Sequence, residues 1–280
     1  MVRDSFTAVW VSHSSIGDYL KCPRAYYLKN IYKDPKNKKK IGIVNPALSL
    51  GSAVHEVVEG LAKFKAEERS SVPVFDQFEN IWERFSGKKG GFSNIEEENE
   101  IKERGISMIK RVKENISPLL DKTVKLKENS NGMLPNYFLS DTENIILCGK
   151  IDWLKYVPED DSIHIIDFKT GVNEEKEDSL QLPIYQLLLK NLQKRKVSGA
   201  SYWYLNNDNK PKEIQLPDIN DSFDRVFDIA LKIKEARIKK EFKCNHGDKG
   251  CYACSDFEKI INGEAELIGS TDWQNLYFVS

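Results

Sequence analysis

Residues 145–171 read IILCGKIDWLKYVPEDDSIHIIDFKTG, two apolar runs rich in β-branched residues on either side of Pro158-Glu159-Asp160-Asp161. A turn signal between two such runs predicts a β-hairpin. Side chains alternate along a strand with period two, so Asp167 and Lys169 share one face and Phe168 takes the other. With 145–157 read as one strand, Asp152 lies on the face of Lys150 and Cys148. Pairing the two strands then brings Asp152 and Asp167 together at one end of the sheet. Neighbouring carboxylates disfavour each other's ionisation unless a cation sits between them. Hard oxygen ligands with room for water suit Mg²⁺ or Mn²⁺. A lysine beside such an ion can orient or deprotonate a water, or offset charge developing on a phosphate. A lone Asp-x-Lys reads first as part of a solvated edge strand, so its neighbours in the chain matter.

Working outward, 136–141 (NYFLSD) and 196–206 (KVSGASYWYLN) are further strand-like runs. Between the hairpin and the last strand lies a helix, 179–194 (SLQLPIYQLLLKNLQK), whose Pro183 is tolerated in the first turn. Gln181 and Tyr185 are four apart on it and share a face. Upstream, Leu50, Val54, Val57, Leu61 and Phe64 recur at three and four, an amphipathic helix. Gly51 and His55 lie on one edge of that stripe, an imidazole next to a position where a missing side chain permits close approach. Residues 12–32 predict a short helix capped by Ser12 or Ser14 and interrupted at Cys22-Pro23. Residues 33–40 (KDPKNKKK) form a basic loop, 65–130 a charged helical stretch, and 221–241 a final helix. This order describes one mixed α/β core with helical additions.

The 280 residues carry 42 Lys+Arg and 43 Asp+Glu, a net charge of −1, so any nucleic-acid contact is a local patch. With 40% hydrophobic residues the chain is globular, and no apolar run approaches the ~20 residues of a membrane span. The first residues lack a signal-peptide core, which implies the cytoplasm. Five cysteines in a reducing compartment argue against a disulfide framework. Cys148 reads as a small buried hydrophobe. Cys251 and Cys254 form a CxxC pair, Cys244 precedes them in a turn-rich loop, and Cys22 is distant; together they can close a four-sulfur site for an iron–sulfur cluster or zinc. His246 is a further possible zinc ligand.

Five segments in order, SHSSIGDYLKCPRAYYL, GSAVHEVVE, GKIDWL, IIDFKTG and QLPIY, resemble the RecB-type branch of the PD-(D/E)XK nuclease superfamily. The tail CNHGDKGCYAC resembles its iron–sulfur members, which include the AddB nuclease domain and CRISPR-associated RecB-like nucleases. The resemblance implies a restriction-endonuclease-like α/β core over 1–280: a mixed central sheet flanked by helices, a helical insertion at about 65–130, a catalytic core at 133–205, and a metal-cluster staple joining 1–32 to 240–258. It implies that His55, Asp152, Asp167 and the Phe168 carbonyl hold Mg²⁺ or Mn²⁺. Lys169 would be the catalytic lysine, with Gln181 and Tyr185 supporting it. Cys22, Cys244, Cys251 and Cys254 would ligate a 4Fe–4S cluster, with Zn²⁺ the alternative. In the family tail the CxxC more often precedes a last cysteine about six residues on; here Cys244 comes first. The implied activity is a metal-dependent deoxyribonuclease, an exonuclease on single strands or DNA ends serving repair, recombination or CRISPR-type processing. No Walker A loop is present, so an unwinding helicase or CRISPR partner would be a separate chain. The alternatives are a non-catalytic DNA-binding or adaptor module on the same fold, or a zinc-stapled interaction domain.

Overall fold

The computed structural model describes residues 4–126 and 133–279. Residues 1–3 of the expected N-terminal staple segment and 127–130 of the expected helical stretch lie outside the described residues. In chain order the elements are β1 (Val9–Val11), α1 (His13–Lys21), α2 (Pro23–Tyr26, continued by a π-turn over Tyr27–Ile31), β2 (Lys40–Ile43), α3 (Pro46–Gly60), α4 (Val74–Trp82) and α5 (Ile95–Glu114). After these come β3 (Asn136–Ser140), β4 (Ile145–Cys148), β5 (Trp153–Val157), β6 (Ser162–Lys169), α6 (Gln181–Leu192), β7 (Val197–Tyr204) and β8 (Lys212–Ile214). The chain closes with α7 (Ile219–Lys239), α8 (Ser255–Ile261), β9 (Glu266–Ser270) and β10 (Gln274–Phe278).

The helix starts follow from their caps. Ser12 and Ser15 form a reciprocal capping box on α1, and the Asn45 side chain accepts from the Leu48 amide at the start of α3. Cys22 ends α1 in an extended conformation, and Pro23 restarts the chain as the first residue of α2. The apolar stripe of α3 is buried at Leu50, Val54, Val57 and Leu61, whereas Phe64 falls beyond the helix and is left at the surface.

Among the described residues the strands form three sheets rather than the single central sheet expected. The largest has the order β5-β6-β7-β8, with β5 and β6 antiparallel and β6 and β7 parallel, joined by α6 as the crossover. A second sheet, β1-β4-β3, and a third, β2-β10-β9, flank it. The expected strand over 145–157 is broken: β4 pairs with β1 and β3, and β5 begins a different sheet. The break lies where the chain passes against α6, since a Cβ on Gly149 would stand 3.0 Å from the Leu188 side chain. Asp152 therefore sits in the link between two sheets rather than on a shared face with Lys150 and Cys148.

Each face of the large sheet is covered. Leu154, Ile163, Ile165 and Ala200 pack with Ile184, Leu188 and Ala230 from α6 and α7. On the other face Trp153, Ile166, Phe168 and Trp203 pack with Val54 of α3, Phe78 of α4 and Met108 of α5. The helices of the charged stretch thus form a layer directly behind the residues that follow Asp152 and Asp167.

Arg69 fastens that layer. Only 3% exposed, it donates to the carbonyls of Leu61 (3.1 Å), Phe64 (3.2 Å), Leu119 (2.6 Å) and Asp121 (2.7 Å), and its guanidinium lies 5.0 Å from the Trp153 ring centroid. Arg69→Met keeps the volume but leaves buried carbonyls without donors. It is expected to cost about 3 kcal/mol or more in urea unfolding, whereas Lys113→Met, at a half-buried carbonyl donor nearby, should cost about 1 kcal/mol.

Candidate active site and cysteine centre

Asp167 is 1% exposed, and its surroundings are built for a charge. Its Oδ1 accepts from Gln181 Nε2 at 2.8 Å and from the Tyr185 hydroxyl at 3.1 Å, and its Oδ2 lies 2.9 Å from Lys169 Nζ. Gln181 Nε2 also donates to the Tyr185 oxygen at 3.0 Å, while Gln181 Oε1 accepts from Lys169. An amide is suited to this position: it donates to a carboxylate with one end and accepts from an ammonium with the other. The four-residue spacing of Gln181 and Tyr185 puts both on the face of α6 turned to β6. Glu175, from the loop after β6, pairs with Lys169 at 3.0 Å. Burial lowers the affinity of Lys169 for its proton, but Asp167 and Glu175 outweigh this and hold the pKa above the ordinary lysine value. Burial and Asp167 push the Tyr185 phenol well above its usual range.

A second group forms across the sheet link. Asp152 Oδ2 accepts from the Phe168 amide at 2.9 Å and lies 3.5 Å from His55 Nδ1, which in turn is 3.0 Å from Glu59 Oε1. Lys150 reaches the other Glu59 oxygen at 2.5 Å. One ligand atom each from His55, Glu59 and Asp152 lies within 4.8 Å of the others. Burial, then the neighbouring Asp167, push the Asp152 carboxyl up to about 7. For His55, burial lowers the pKa, but Glu59 and Asp152 raise it above the ordinary imidazole value. These residues line an open cleft of about 830 Å³, together with Gly51, Lys63 and Thr170. Gly51 is where α3 nears the end of β6: an added Cβ would stand 3.3 Å from Thr170 Oγ1.

The donor set fits a hard divalent cation. Asp167 Oδ2 is buried with the Lys169 ammonium as its neighbour at 2.9 Å, and Asp152 and Asp167 are carboxyl groups in a desolvated setting. His55, Asp152 and Glu59 could supply an imidazole nitrogen and oxygens from the cleft side, and Asp167 an oxygen from the sheet side. The Asp167 carboxylate itself is engaged with Lys169, Gln181 and Tyr185, so it adjoins the His55 group rather than forming part of it.

At the other end of the chain's path, Cys22, Cys244, Cys251 and Cys254 bring their sulfurs within 4.8 Å of one another. Cys22 and Cys254 are buried, and Cys251 Sγ lies 3.8 Å from Cys254 Sγ. Three backbone amides point at the sulfurs: Ala25 at Cys22 (3.4 Å), His246 at Cys244 (3.4 Å) and Cys251 at Cys254 (3.3 Å). Amides aimed at sulfur favour thiolates, the form that binds metal. Gly250 holds φ +72°, and a Cβ there would press on the Cys254 sulfur at 3.3 Å. The imidazole of His246 is not among the atoms brought together. Cys148 stays outside as well, its thiol directed at the Val11 carbonyl and pushed up to about 11 by burial.

Among protein families, the profile of the PD-(D/E)XK nuclease superfamily matches residues 10–256. The chain belongs to that superfamily. No curated protein matches the chain significantly. The superfamily's members are generally metal-dependent nucleases, and the match spans both the carboxylate cleft and the four cysteines. Among the described residues no helix is long and apolar enough to cross a membrane.

Three neighbours of the site escaped the sequence reading. Glu59 sits one turn beyond His55 and was detectable by extending the four-residue spacing of Gly51 and His55. Glu175 lies in the polar run NEEKEDS, which carries no pattern. His13, in the first turn of α1, faces the charges of Glu175, Lys169 and Asp167; burial lowers its pKa.

Two outcomes follow. In EDTA, the folded Asp152 keeps its proton up to about 7, whereas the unfolded chain loses it near 3.8. The site's contribution to stability is therefore complete below pH ~4 and lost as pH rises through 7. Mg²⁺ or Mn²⁺ should raise the thermal midpoint clearly at pH 8 and little at pH 5; equal shifts would show that no cation replaces this proton. At the cysteine centre, Cys22→Ser and Cys254→Ser should each remove the bound metal and lower the midpoint alike, although the residues are far apart in sequence, because metal binding energy is folding energy. Metal analysis of Cys148→Ser should show the wild-type content.

Proposed function

We propose that this chain is a RecB-type deoxyribonuclease that hydrolyses phosphodiester bonds with Mg²⁺ or Mn²⁺, acting as an exonuclease on single strands or DNA ends. The observation that carries the reading is the Lys169 ammonium beside Asp167, with Gln181 bonded to both, and Asp167 near enough to Asp152 to push its carboxyl pKa up. His55, Asp152 and Asp167 would hold the cation, with the Phe168 carbonyl as a further ligand. A bound divalent cation supplies Lewis acidity to the phosphodiester and eases ionisation of a water. Lys169 enters as a cation: it orients the attacking water and offsets charge on the phosphate as the 3′-oxygen leaves. Gln181 fixes the direction of the Lys169 side chain, and Tyr185 donates to Asp167, holding that carboxylate in its rotamer. Repair, recombination or CRISPR-type processing are the settings we propose, in the cytoplasm, with any helicase or CRISPR protein as a separate partner.

We further propose that the four cysteines hold a 4Fe–4S cluster that is structural, tying the N-terminal helices to α8. One observation favours Zn²⁺ as the second reading. A single tetrahedral ion with bonds of about 2.3 Å places its sulfurs roughly 3.8 Å apart, and Cys251 and Cys254 stand at 3.8 Å. Iron and zinc analysis of the purified protein, with its visible absorption, separates the two.

The test of the activity is cleavage of end-labelled single- and double-stranded DNA in Mg²⁺, Mn²⁺ or EDTA. Cleavage is expected with either ion and not in EDTA. Asp167→Ala and Lys169→Ala should each lose about 100-fold or more while keeping a cooperative thermal transition. Near wild-type cleavage by either variant would reject the assignment.

A further inference from the structure

Beside the metal cleft lies a second cavity of about 400 Å³, and the two share Leu48 and Ser52 of α3 as a common wall. Its far side is the β9–β10 hairpin, through Leu276 and neighbouring residues, and its floor is the turn that carries Arg84, Phe85 and Lys89. The hairpin lies beyond the 10–256 superfamily match. The chemistry of the cavity is mixed in a particular way. Phe85 and Leu276 offer apolar faces, while Arg84 and Lys89 are exposed cations at its edge. The Arg84 guanidinium stands 5.7 Å from the Phe85 ring centroid and pairs at 2.5 Å with Glu56, which itself lines the metal cleft. Arg84 therefore marks the border between the two spaces, held by a carboxylate that an incoming phosphate can replace.

We propose that this second cavity binds one unpaired nucleotide of a single strand whose backbone continues into the metal cleft. The base lies against Phe85 and Leu276, and its phosphate meets Arg84 and Lys89. Single-strand sites of this kind combine a basic track with rings on which bases stack. The volume is within the roughly 300–1,000 Å³ range of small-ligand pockets and has no room for a stacked duplex. The proposal rests on reading the cleft as a DNA-cleaving site, and it specifies the substrate as unpaired next to the scissile bond.

The test is anisotropy of a labelled 12-nucleotide oligothymidylate in EDTA, so that binding is read apart from cleavage. Arg84→Ala/Lys89→Ala should weaken binding about tenfold and reduce the slope of log K against log salt by roughly 0.7, for the one phosphate that both side chains meet. Phe85→Leu, which keeps an apolar side chain but loses the ring, should weaken binding about fivefold with the salt slope unchanged. Lys194→Ala/Lys196→Ala removes the same charge near the C-terminal end of α6 and should stay within twofold of wild type. Equal losses in the two double variants would reduce the effect to net charge and overturn the site. So would wild-type binding by both the Arg84/Lys89 and Phe85 variants, or preference of the wild type for a 12-base-pair duplex. Thermal midpoints report folding; should Phe85→Leu unfold, the two lysine–arginine comparisons decide alone. A protein that binds as described yet cleaves nothing would retain this site and lose the nuclease reading, whereas cleavage with unchanged binding in the variants would do the reverse.

Discussion

The burial of two carboxylates next to each other is the constraint on which the rest of the molecule turns. Half-buried Asp152 and buried Asp167 come from opposite sides of one β-hairpin, and the charge of Asp167 adds to the cost of ionising Asp152. A fold tolerates this only when every lone pair is engaged or open to a cation. Here Asp167 is engaged by Lys169, Gln181 and Tyr185, and Asp152 by the Phe168 amide and His55. The partners arrive from three places: the end of β6, the first turn of α6 and the middle of α3. Those elements cannot shift independently without leaving a buried charge unpaired. The charge network thus fixes the packing of two helices on the sheet as much as the apolar cores do.

Local rules explain which parts were legible in the sequence. The turn at Pro158–Asp161 and the alternation of IIDFKTG define the β5–β6 hairpin, and a spacing of four defines the faces of α3 and α6. Cys22-Pro23 marks a helix break because an extended cap and a ring at the next helix start are both encoded there. The break between β4 and β5 was not legible. Apolar residues continue on both sides of it, and the close approach of Leu188 to Gly149 comes from another part of the chain. The β2–β10 pairing was equally hidden. Lys40 and Gln274 are register partners more than 200 residues apart, and each run reads locally as polar loop or isolated apolar residues. At the site, Asp152, Asp167, Lys169, His55, Gln181 and Tyr185 could be proposed because each sits in a patterned segment. Glu175 could not, since its position is set by the path of a loop and by the Tyr204 hydroxyl, which accepts from its backbone amide at 3.0 Å.

The cysteine centre and the carboxylate cleft are connected through α1. Cys22 caps the end of that helix, and His13 at its start faces Glu175 and Lys169. Tying Cys22 to the C-terminal loop would anchor one end of a nine-residue helix whose other end faces Lys169. The segment these cysteines join is short, its own buried residues are few, and the third apolar cluster around Leu28, Ile41 and Phe257 is small, so a metal held by them would add stability the local packing lacks. Loss of the centre should therefore loosen the surroundings of Lys169 without touching the residues that would hold the divalent cation.

The position of His55 depends on a second anchorage, at the start of α3. The helix is capped by Asn45, directly after β2, and β2 is held in register by β10. From the other side the turn at Gly90-Gly91 closes on the same point. Ser49 donates to the Gly90 carbonyl at 2.8 Å, and Gly91, at φ +85°, passes so near Asn45 that a Cβ would stand 2.4 Å from its backbone. This close approach matters because a helix advances about 100° per residue, 3.6 residues to the turn. A slip of one residue at Asn45 would swing His55 and Glu59 away from Asp152 and present Val54 and Val58 to the carboxylates instead. The C-terminal hairpin, outside the superfamily match, thereby helps fix the angle at which α3 offers its imidazole to the cleft.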